Sequence, residues 1–515
     1  MTLGELLSAL EEPGRVARAA LDASLSGRPV KAIAYDSRKA GPGSLFVALR
    51  GQKLDGTAFA AQALSKGSLA IVSEAGRPAE IQAPWIVVPD ARLALARLAV
   101  AFYHDPSTDL RVVGITGTNG KTTTAYLVTA IFEAAGIRCG MLGTVVYRVG
   151  DQEREATRTT PEAADIQQML REMVAQGCGA CAMEVSSHAL AQRRVDGTRF
   201  AAGVFTNLTR DHLDFHGDME SYFAAKRRLF ELLPAGAPAV VNTDDPRGAS
   251  LATRPGRTLT YAIDRPADIY PARLAQSLGG LTFEATTPRG PVHARTRLVG
   301  RPNVYNILAA IGTGLACELP TAAIEGGLEG LEGVPGRFQV VSGPDDDITV
   351  VVDYAHTDDA LKNLLESARP LARQRLITVF GAGGERDRTK RPLMGAVAAR
   401  LSDLVIITSD NPRGEDPADI IEEIKRGIGA PAQARPADTH ESEAKHAPPK
   451  ATPHMAIVDR RLAIERAISL AKPDDVVLVA GKGHEKYQVI GDKDVPFDDV
   501  VVSREALARR RGERH

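Results

Sequence analysis

The stretch RVVGITGTNGKTTTAYLV, Arg111 to Val128, decides the fold. It joins a short apolar run to a loop rich in glycine and threonine, and then to a segment that we predict to be helical. A strand, a glycine-rich turn and a helix in this order bring backbone N–H groups and the positive end of a helix to one place, where they bind phosphate. We therefore predict a nucleotide site, with Lys121 at the terminal phosphates and the Thr122 hydroxyl as a ligand for Mg²⁺.

The glycine spacing of this loop differs from the common phosphate-loop pattern. That pattern, GxxxxGK, requires glycine at position 115, which is Ile115, whereas Gly114, Gly117 and Gly120 follow one another at intervals of three. The prediction therefore depends on the order of strand, glycines, Lys-Thr and helix, because a glycine-rich loop alone is weaker evidence.

Length and charge limit the class of protein. At 515 residues, with 44% hydrophobic and 25% charged residues, the chain is long enough for about three domains of ordinary size. The chain has 63 Lys and Arg residues and 64 Asp and Glu residues, so it carries no large net charge that would favour binding to nucleic acid or to a membrane surface. We expect a monomer with small-molecule substrates and no nucleic-acid partner.

The cysteines and the N-terminal residues predict a cytoplasmic protein that is not embedded in a membrane. Four cysteines are too few for a disulfide framework, and the pair Cys178 and Cys181 is typical of a turn that enters a buried strand. Glu5, Glu11 and Glu12 stand where a signal peptide needs an apolar core, and no stretch approaches the ~18 apolar residues of a membrane span.

From Arg111 onward, short runs rich in Val, Ile and Ala alternate with longer amphipathic segments, which predicts a parallel sheet. The runs end in polar loops, four before residue 250 and four after residue 336: GTNGKT, EVSSH, TNLTRDHLD and NTDD, then DYAHT, GAGGERDRTKR, DNPR and GKGHE. Loops that follow parallel strands share one edge of the sheet, where ligands bind. Ordinary surface loops would explain any one of them, but they explain all eight poorly.

We predict an α/β fold of three domains. The first, 1–105, is a small α/β module with short strands between Gly and Pro turns; the second, 106–335, is a P-loop-type parallel-sheet domain; the third, 336–515, is Rossmann-like. The motif VPGRF lies at the second junction. The segment 430–454 is rich in Pro, Ala and charged residues, which predicts a mobile insertion.

Motifs along nearly the whole chain resemble the Mur ligases, in which GTNGKTTT is the ATP loop. They occur in the family's order: YDSR, TTPEA, MEVSSHAL, TNLTRDHLDFHG, YFAAKRRLF, NTDD, RPNVYN, VPGRF, VDYAHT, GGERDRTKRP, DNPR and GKGHE. The resemblance is greatest to members that add the third peptide residue to UDP-N-acetylmuramoyl-L-alanyl-D-glutamate. It implies an ATP-dependent amide ligase with two Mg²⁺ ions, an acyl-phosphate intermediate, and UDP-sugar-, ATP- and amino-acid-binding domains in that order.

The resemblance assigns residues to ATP and to the metal. The ATP contacts are Gly117, Thr118, Asn119, Gly120, Lys121, Thr122, Thr123, Asn303, Asn306, Arg337, Asp353 and His356. Thr122 and Glu184 would hold one Mg²⁺, His212 the second, and Lys226 would be carbamylated, which converts a cation into an anion between the ions. The residues alone leave alternatives open: Glu184 paired with an arginine, His212 as an ordinary loop histidine, Lys226 on a solvated helix face, and the asparagines at a structural junction.

The resemblance also assigns the other two substrates. Ser37, Gln52, Lys53 and Leu54 would contact the UDP part, and Thr159, Thr160, Ser186, Gln192 and Arg194 the muramoyl dipeptide. Asp410, Asn411, Pro412 and Arg413, with Arg386, Gly481 and Glu485, match the contacts to meso-diaminopimelate. Ser37 as a turn hydroxyl, Gln192 and Arg194 on a helix surface, and Arg413 as a solvent-facing charge are the alternatives.

Arg413 decides the amino acid, because a guanidinium suits the second carboxylate of diaminopimelate, and lysine-adding relatives lack this arginine. One departure from the family is Glu385 in GGERD, where relatives commonly carry Asp.

Three alternative functions remain open: a lysine-adding ligase, a folylpolyglutamate synthetase, and a nucleotide-dependent switch that makes no bond.

Overall fold

The computed structural model describes residues 1–10, 23–51, 54–252, 257–277, 279–429 and 452–514. Three mainly parallel sheets follow one another along the chain, which confirms the predicted α/β fold class. Gln52 and Lys53, assigned above to the UDP site, lie outside the described residues, as do residues 430–451 of the predicted insertion.

The first sheet has four parallel strands in the order β1-β2-β3-β4. They are β1 Ala32–Ala34, β2 Ser44–Val47, β3 Ala70–Ser73 and β4 Trp85–Val87, and their helices are α1 Leu3–Leu7, α2 Ala23–Ser26, α3 Ala60–Ser65 and α4 Ala91–Phe102. Helix α4 begins where Asp90 accepts a hydrogen bond from Leu93 N (2.9 Å), and it buries an alanine- and leucine-rich face against the sheet.

The second sheet has eight strands in the order β12-β11-β10-β5-β9-β6-β7-β8. They are β5 Arg111–Thr116, β6 Cys139–Leu142, β7 Val146–Val149, β8 Gln152–Glu155, β9 Ala180–Glu184, β10 Phe200–Phe205, β11 Ala239–Asn242 and β12 Thr258–Tyr261. Strand β7 pairs in the antiparallel sense with both β6 and β8 at one end of the sheet. The helices of this region are α5 Lys121–Ala134, α6 Ala163–Ala175, α7 Ser187–Ala191, α8 Leu213–His216, α9 Met219–Glu231, α10 Pro246–Leu251, α11 Arg301–Ala316 and α12 Thr321–Gly330.

The third large sheet has six strands in the order β16-β17-β21-β18-β19-β20, when the strands are numbered along the chain. These are β16 Gln339–Val340, β17 Thr349–Asp353, β18 Leu376–Phe380, β19 Leu404–Ile407, β20 His454–Ala456 and β21 Val476–Ala480. The accompanying helices are α13 Asp358–Ala368, α14 Lys390–Leu401, α15 Pro417–Ile428, α16 Arg460–Leu470 and α17 Asp499–Arg514.

The eight polar loops predicted from the sequence follow strands as expected. In the second sheet, β11, β10, β5 and β9 are parallel neighbours. In the third, β17, β21, β18 and β19 are parallel neighbours. Each group therefore places its four loops at one edge of its sheet.

Two small antiparallel elements were not predicted. One is a three-stranded sheet of β13 Tyr270–Ser277, β14 Gly280–Thr286 and β15 Val292–Thr296; the other is a hairpin of β22 Tyr487–Ile490 and β23 Lys493–Pro496. The predicted end of the insertion, residue 454, is wrong, because His454 already pairs with Val405 in the sheet. Among the described residues, no helix is long and apolar enough to span a membrane.

Candidate active site

The glycine loop after β5 has the shape of a phosphate cradle. Gly120 has a φ of +88°, and a Cβ there would lie 2.3 Å from Oδ1 of Asn306, so only glycine fits. Asn207, which follows β10, holds the loop: its carbonyl accepts from Thr118 N (2.9 Å) and its Oδ1 from Asn119 N (2.9 Å). The N-terminus of α5 therefore opens onto a fixed loop, as phosphate binding requires.

Lys121 begins α5 and folds back over this loop. Its Nζ donates to the carbonyls of Gly117 (2.9 Å) and Thr118 (2.8 Å). Burial lowers the pKa of the Lys121 ammonium, and the carboxylates of Glu184 and Asp211 oppose that shift. The lysine thus lies beside the loop with carbonyl partners, which phosphate oxygens can replace.

Glu184 ends β9 and is buried, and it is held by hydroxyl and amide groups. Oε2 accepts from Oγ1 of Thr122 (3.0 Å) and of Thr144 (3.0 Å), while Oε1 accepts from Thr144 N (2.8 Å). Within the described ranges no arginine forms an ion pair with Glu184, so the alternative of an arginine partner is not supported; its partners are Thr122 and Thr144. Sequence reasoning missed Thr144. Its position two residues after the end of β6 could have indicated that it lies at the edge of the sheet where Glu184 lies.

Lys226 is buried inside α9, with a side chain only 1% exposed. Its Nζ donates to the Gly117 carbonyl (2.6 Å) and lies 4.6 Å from the centroid of the Tyr222 ring. Burial, and then the charge of Lys121, hold the pKa of Lys226 well below its ordinary value. The solvated-face alternative is therefore wrong for Lys226, whereas Arg227 on the same helix is half exposed and pairs with Glu231.

His212 lies at the same edge, one residue before α8. Its backbone is left-handed (φ +53°), its ring packs on that of His188 with centroids 4.8 Å apart, and Nε2 lies 3.4 Å from Oδ2 of Asp211. Burial lowers the pKa of His212 to about 3 against the opposing charge of Asp211. Its imidazole is therefore neutral near pH 7, the form that ligates metals.

These residues fit Mg²⁺ shared with a nucleotide better than a protein-only metal cage. Glu184 and Thr122 offer oxygen donors 3.0 Å apart, and Mg²⁺ prefers oxygen and usually keeps phosphate and water ligands. Across the described ranges, no group of three or more His, Cys, Asp and Glu side chains forms a metal cluster.

A cleft of about 660 Å³, open to solvent, separates the glycine loop from the third sheet. Its lining includes Asn119, Gly120, Thr122, Thr123, Pro302, Asn303, Asn306, Arg337, Phe338, Asp353, Asn363 and Leu364. Asn303 and Asn306 lie on α11, where Nδ2 of Asn306 donates to Oδ1 of Asn303 (2.9 Å). The structure thus brings eight of the twelve predicted ATP residues, from two domains, to one cleft.

The third domain reaches this cleft through Arg337, Asp353 and their neighbours. Asp353 ends β17 and accepts from Phe338 N (2.7 Å) and Ala355 N (2.8 Å), which fixes the VPGRF junction. Burial raises the pKa of Asp353. His356 lies beside them, its Nδ1 2.9 Å from the Tyr354 carbonyl, and burial lowers the pKa of its ring.

The residues assigned to the muramoyl dipeptide form a hydrogen-bonded group next to Glu184. Oγ1 of Thr160 donates to the Glu184 carbonyl (2.8 Å) and accepts from Ser186 N (3.0 Å). Thr159 joins through Thr144, since the Oγ1 atoms of the two threonines lie 3.1 Å apart. The dipeptide contacts and the carboxylate proposed for the metal are therefore adjacent.

Arg194 belongs to this group, but protein atoms surround its guanidinium. Nη1 donates to the Thr160 carbonyl (3.0 Å), Nη2 to Oε1 of Gln192 (2.6 Å), and Nε forms an ion pair with Glu162 (3.0 Å). Sequence reasoning missed Glu162. A substrate carboxylate has to share or displace these contacts.

The UDP residues within the described part of the chain, Ser37 and Leu54, belong to the first domain. Ser37 is buried and donates to Oε1 of Gln62 (2.7 Å), a side chain of α3 and not a backbone group of its own turn. Leu54 is 65% exposed.

The amino-acid residues converge where the loops after β18, β19 and β21 meet. Arg413 has a left-handed backbone (φ +52°) and donates from Nη1 to the Gly384 carbonyl (2.7 Å). In the described part of the chain, its Nε and Nη2 donate no hydrogen bond. Burial and the neighbouring Arg386 lower the pKa of Arg413, which indicates a place for an anion.

The other assigned residues surround Arg413. Gly481 has a φ of +120°, and a Cβ there would lie 2.4 Å from Oδ2 of Asp410. Nδ2 of Asn411 donates to Oε2 of Glu485 (2.9 Å). Pro412 is buried, and Glu385 is exposed.

Three family descriptions match the chain. Residues 29–103 match the Mur ligase family catalytic domain, residues 115–314 the Mur ligase middle domain, and residues 336–483 the Mur ligase glutamate ligase domain.

Relatives with named activities match almost the full length. The UDP-N-acetylmuramoyl-L-alanyl-D-glutamate--2,6-diaminopimelate ligase of Gloeobacter violaceus is 47% identical and covers 96% of this chain and 98% of its own. That of Geobacter metallireducens is 48% identical and covers 91% and 92%. A solved structure of a ligase with the same name superimposes with a TM-score of 0.66, at 34% identity over 99% of this chain and all of the other.

Proposed function

The chain belongs to the Mur ligase family, and from that premise we propose that it adds 2,6-diaminopimelate to the D-glutamate of UDP-N-acetylmuramoyl-L-alanyl-D-glutamate. It is an ATP-dependent ligase that forms an amide bond and releases ADP and phosphate. The meso isomer, the residue roles, Mg²⁺ and a cytoplasmic location are the finer parts of the proposal.

The cleft between the glycine loop and the third sheet suits activation of the D-glutamate carboxylate of the substrate. A carboxylate cannot expel oxide, so the γ-phosphate of ATP first passes to the D-glutamate carboxylate to form an acyl phosphate, and the amine then displaces phosphate. Phosphoryl transfer depends on position and on cations at the phosphate oxygens. Arg337 and the loop amides supply positive groups in this cleft, and Lys121 supplies a cation on the adjoining glycine loop. Mg²⁺ held by Thr122 and Glu184 would neutralise phosphate charge.

The burial of Lys226 supports its proposed carbamylation. A depressed pKa raises the neutral fraction of the Lys226 amine, and a neutral amine adds CO₂ to give a carbamate and a proton. The carbamate keeps one N–H, which can continue to donate to the Gly117 carbonyl. The product is an anion beside the glycine loop, where an ammonium would repel Mg²⁺.

The amino-acid pocket is the observation that carries the choice of substrate. The free end of diaminopimelate bears an ammonium and a carboxylate. Arg413 presents unused N–H donors beside Arg386. Glu485, in the loop after β21, presents a carboxylate, and in the described structure Arg413 and Glu485 do not form an ion pair with each other. A lysine substrate would leave the guanidinium without its carboxylate partner.

A ligation assay tests the proposal. The purified chain with ATP, Mg²⁺ and UDP-N-acetylmuramoyl-L-alanyl-D-glutamate should release ADP only when an amino acid is added, and meso-diaminopimelate should be used in strong preference to L-lysine. Preference for L-lysine or for a folate substrate would overturn the substrate assignment. ADP release without either co-substrate would favour a nucleotide switch.

A further inference from the structure

We propose that Lys482 is a positioning residue that aims Glu485 and thereby sets the configuration accepted at the distal carbon of diaminopimelate. This rests on the proposed function, but it concerns a side chain to which neither the sequence motifs nor the family resemblance gave a role. Lys482 is wholly enclosed beneath the amino-acid pocket, with a side chain that is 0% exposed.

The contacts of Lys482 fix its neighbours. Its Nζ donates to Oδ1 of Asn411 (2.9 Å) and to Oε2 of Glu485 (2.8 Å). The Asn411 Oδ1 also accepts from Val489 N (3.0 Å), so its Nδ2 is the atom that faces Glu485, to which it donates over 2.9 Å. The orientation of the amide therefore follows from its partners.

This arrangement leaves the two oxygens of Glu485 unequal. Oε2 accepts from both Lys482 and Asn411, whereas Oε1 accepts no hydrogen bond from the residues that the structure describes. Because an ionised carboxylate has acceptor positions on both oxygens, Oε1 is left for a donor from outside the protein. The distal ammonium of the substrate is such a donor.

The hairpin of β22 and β23 fixes the other end of the pocket. Arg413 N donates to the Val489 carbonyl (3.0 Å), and Gly491 N donates to the Arg413 carbonyl (2.8 Å). Nε2 of Gln488, which is buried, donates to the Asp410 carbonyl (2.7 Å). Val489 thus holds the backbone of Arg413 and, through Asn411, the carboxylate of Glu485. The Gly384 carbonyl holds the Arg413 guanidinium (2.7 Å), so guanidinium and carboxylate have a fixed separation.

Fixed positions for these groups distinguish stereoisomers. The distal carbon carries the substrate chain, a carboxylate and an ammonium. Three constraints act on this carbon: the substrate chain enters from the reaction centre, Arg413 binds the carboxylate, and Oε1 of Glu485 binds the ammonium. Only one configuration at the distal carbon satisfies all three constraints. Without the ammonium of Lys482, Glu485 loses a charged partner in a mostly enclosed site and can turn, so the other isomer fits nearly as well.

The test compares amino-acid kinetics of Lys482→Met with those of wild type and of Lys486→Met, an exposed lysine in the same loop. We expect the KM for meso-diaminopimelate to rise about 10- to 30-fold in Lys482→Met, less than the thirty-fold or greater loss expected when a direct partner of a buried charge is removed, because Lys482 acts through Glu485. The kcat and the KM for ATP should change little, and the preference for the meso over the LL isomer should largely disappear. Lys486→Met should match wild type.

A second variant keeps the proposal testable if Lys482→Met does not fold. Lys482→Gln keeps an N–H donor for Glu485 without the charge and should retain part of the isomer preference, with circular dichroism and thermal unfolding as checks of the fold. An unchanged isomer preference in a folded Lys482→Met overturns the proposal, as does unfolding of both variants, which would make Lys482 purely structural. A wild-type enzyme that does not use meso-diaminopimelate would instead refute the proposed function.

Discussion

Nη2 of Arg337 donates a hydrogen bond to Oγ1 of Thr122 over 3.2 Å, although 215 residues separate the two positions. The Arg337 guanidinium also lies over the Tyr354 ring, 4.7 Å from its centroid. The third domain therefore places a cation against the residue that follows the phosphate-loop lysine. Because Thr122 in turn contacts Glu184, a change at the domain junction reaches the proposed metal ligand.

Replacement of Arg337 by alanine should reduce kcat/KM for ATP by about 10²- to 10³-fold, the usual cost of removing one preorganised donor from a site of charge transfer. Initial rates against ATP concentration measure this. Arg373→Ala, whose side chain is 84% exposed in the same domain, serves as the control and should be unchanged. Equal kinetics for the two variants would remove Arg337 from the nucleotide site.

Lys226→Ala should be nearly inactive, because the proposed anion beside the glycine loop is lost. Short carboxylic acids added to the assay should restore part of the activity, since they can supply a carboxylate to the space left by the side chain. Arg227→Ala, which alters a half-exposed residue of the same helix, should keep wild-type activity. Full activity of Lys226→Ala would contradict the carbamate.

Arg413→Ala should weaken the apparent affinity for meso-diaminopimelate by roughly thirty-fold to a few thousand-fold, which corresponds to about 2–5 kcal/mol for truncation of one partner of a desolvated pair. Arg413→Lys should do only slightly better, because a point charge cannot make two parallel hydrogen bonds. The measurement is the rate against diaminopimelate concentration with the other substrates saturating. An unaltered concentration dependence in Arg413→Ala would refute the assignment.

Arg391 should stabilise the third domain in a pH-dependent manner. Its side chain is buried and donates to Glu415 from Nη1 and Nη2 (both 2.9 Å) and to Glu423 (2.8 Å). The hydrogen bonds from Arg391 lower the pKa of Glu415 from 4.5 to about 2. Because the folded-state pKa is the lower one, this stabilisation is complete above about pH 4.5 and is lost as the pH falls towards 2.

Urea unfolding should therefore show Arg391→Met destabilised by about 3–5 kcal/mol near pH 7, as when one partner of a buried pair is removed, with a smaller difference below pH 4. The matched control is Arg388→Met. Arg388 pairs with the same Glu423 but is 61% exposed, so its loss should cost under about 1 kcal/mol. Equal destabilisation of both variants would contradict the role of burial.

The order of residues along the chain determined the fold class and the location of its polar edges. Strands buried on both faces are nearly continuous apolar runs, and the loop after each parallel strand lies at the same edge of the sheet. Chain order alone therefore places GTNGKT, EVSSH and TNLTRDHLD together, and the parallel pairing of β5 with β9 and β10 confirms it. The Gly120 requirement and the burial of Cys178 and Cys181 likewise agree with the local sequence.

Tertiary structure decided how individual side chains are used. Lys226 and Arg227 are adjacent cations that composition cannot distinguish; the direction in which α9 packs buries the first against the Gly117 carbonyl and leaves the second exposed. The pairing of Thr144 with Glu184, of Arg337 with Thr122 and of Lys482 with Glu485 depends on distances between separate loops. A sequence specifies periodicity and turn chemistry locally, but it does not state which side chains of neighbouring loops meet, because burial and charge pairing arise only when the elements pack.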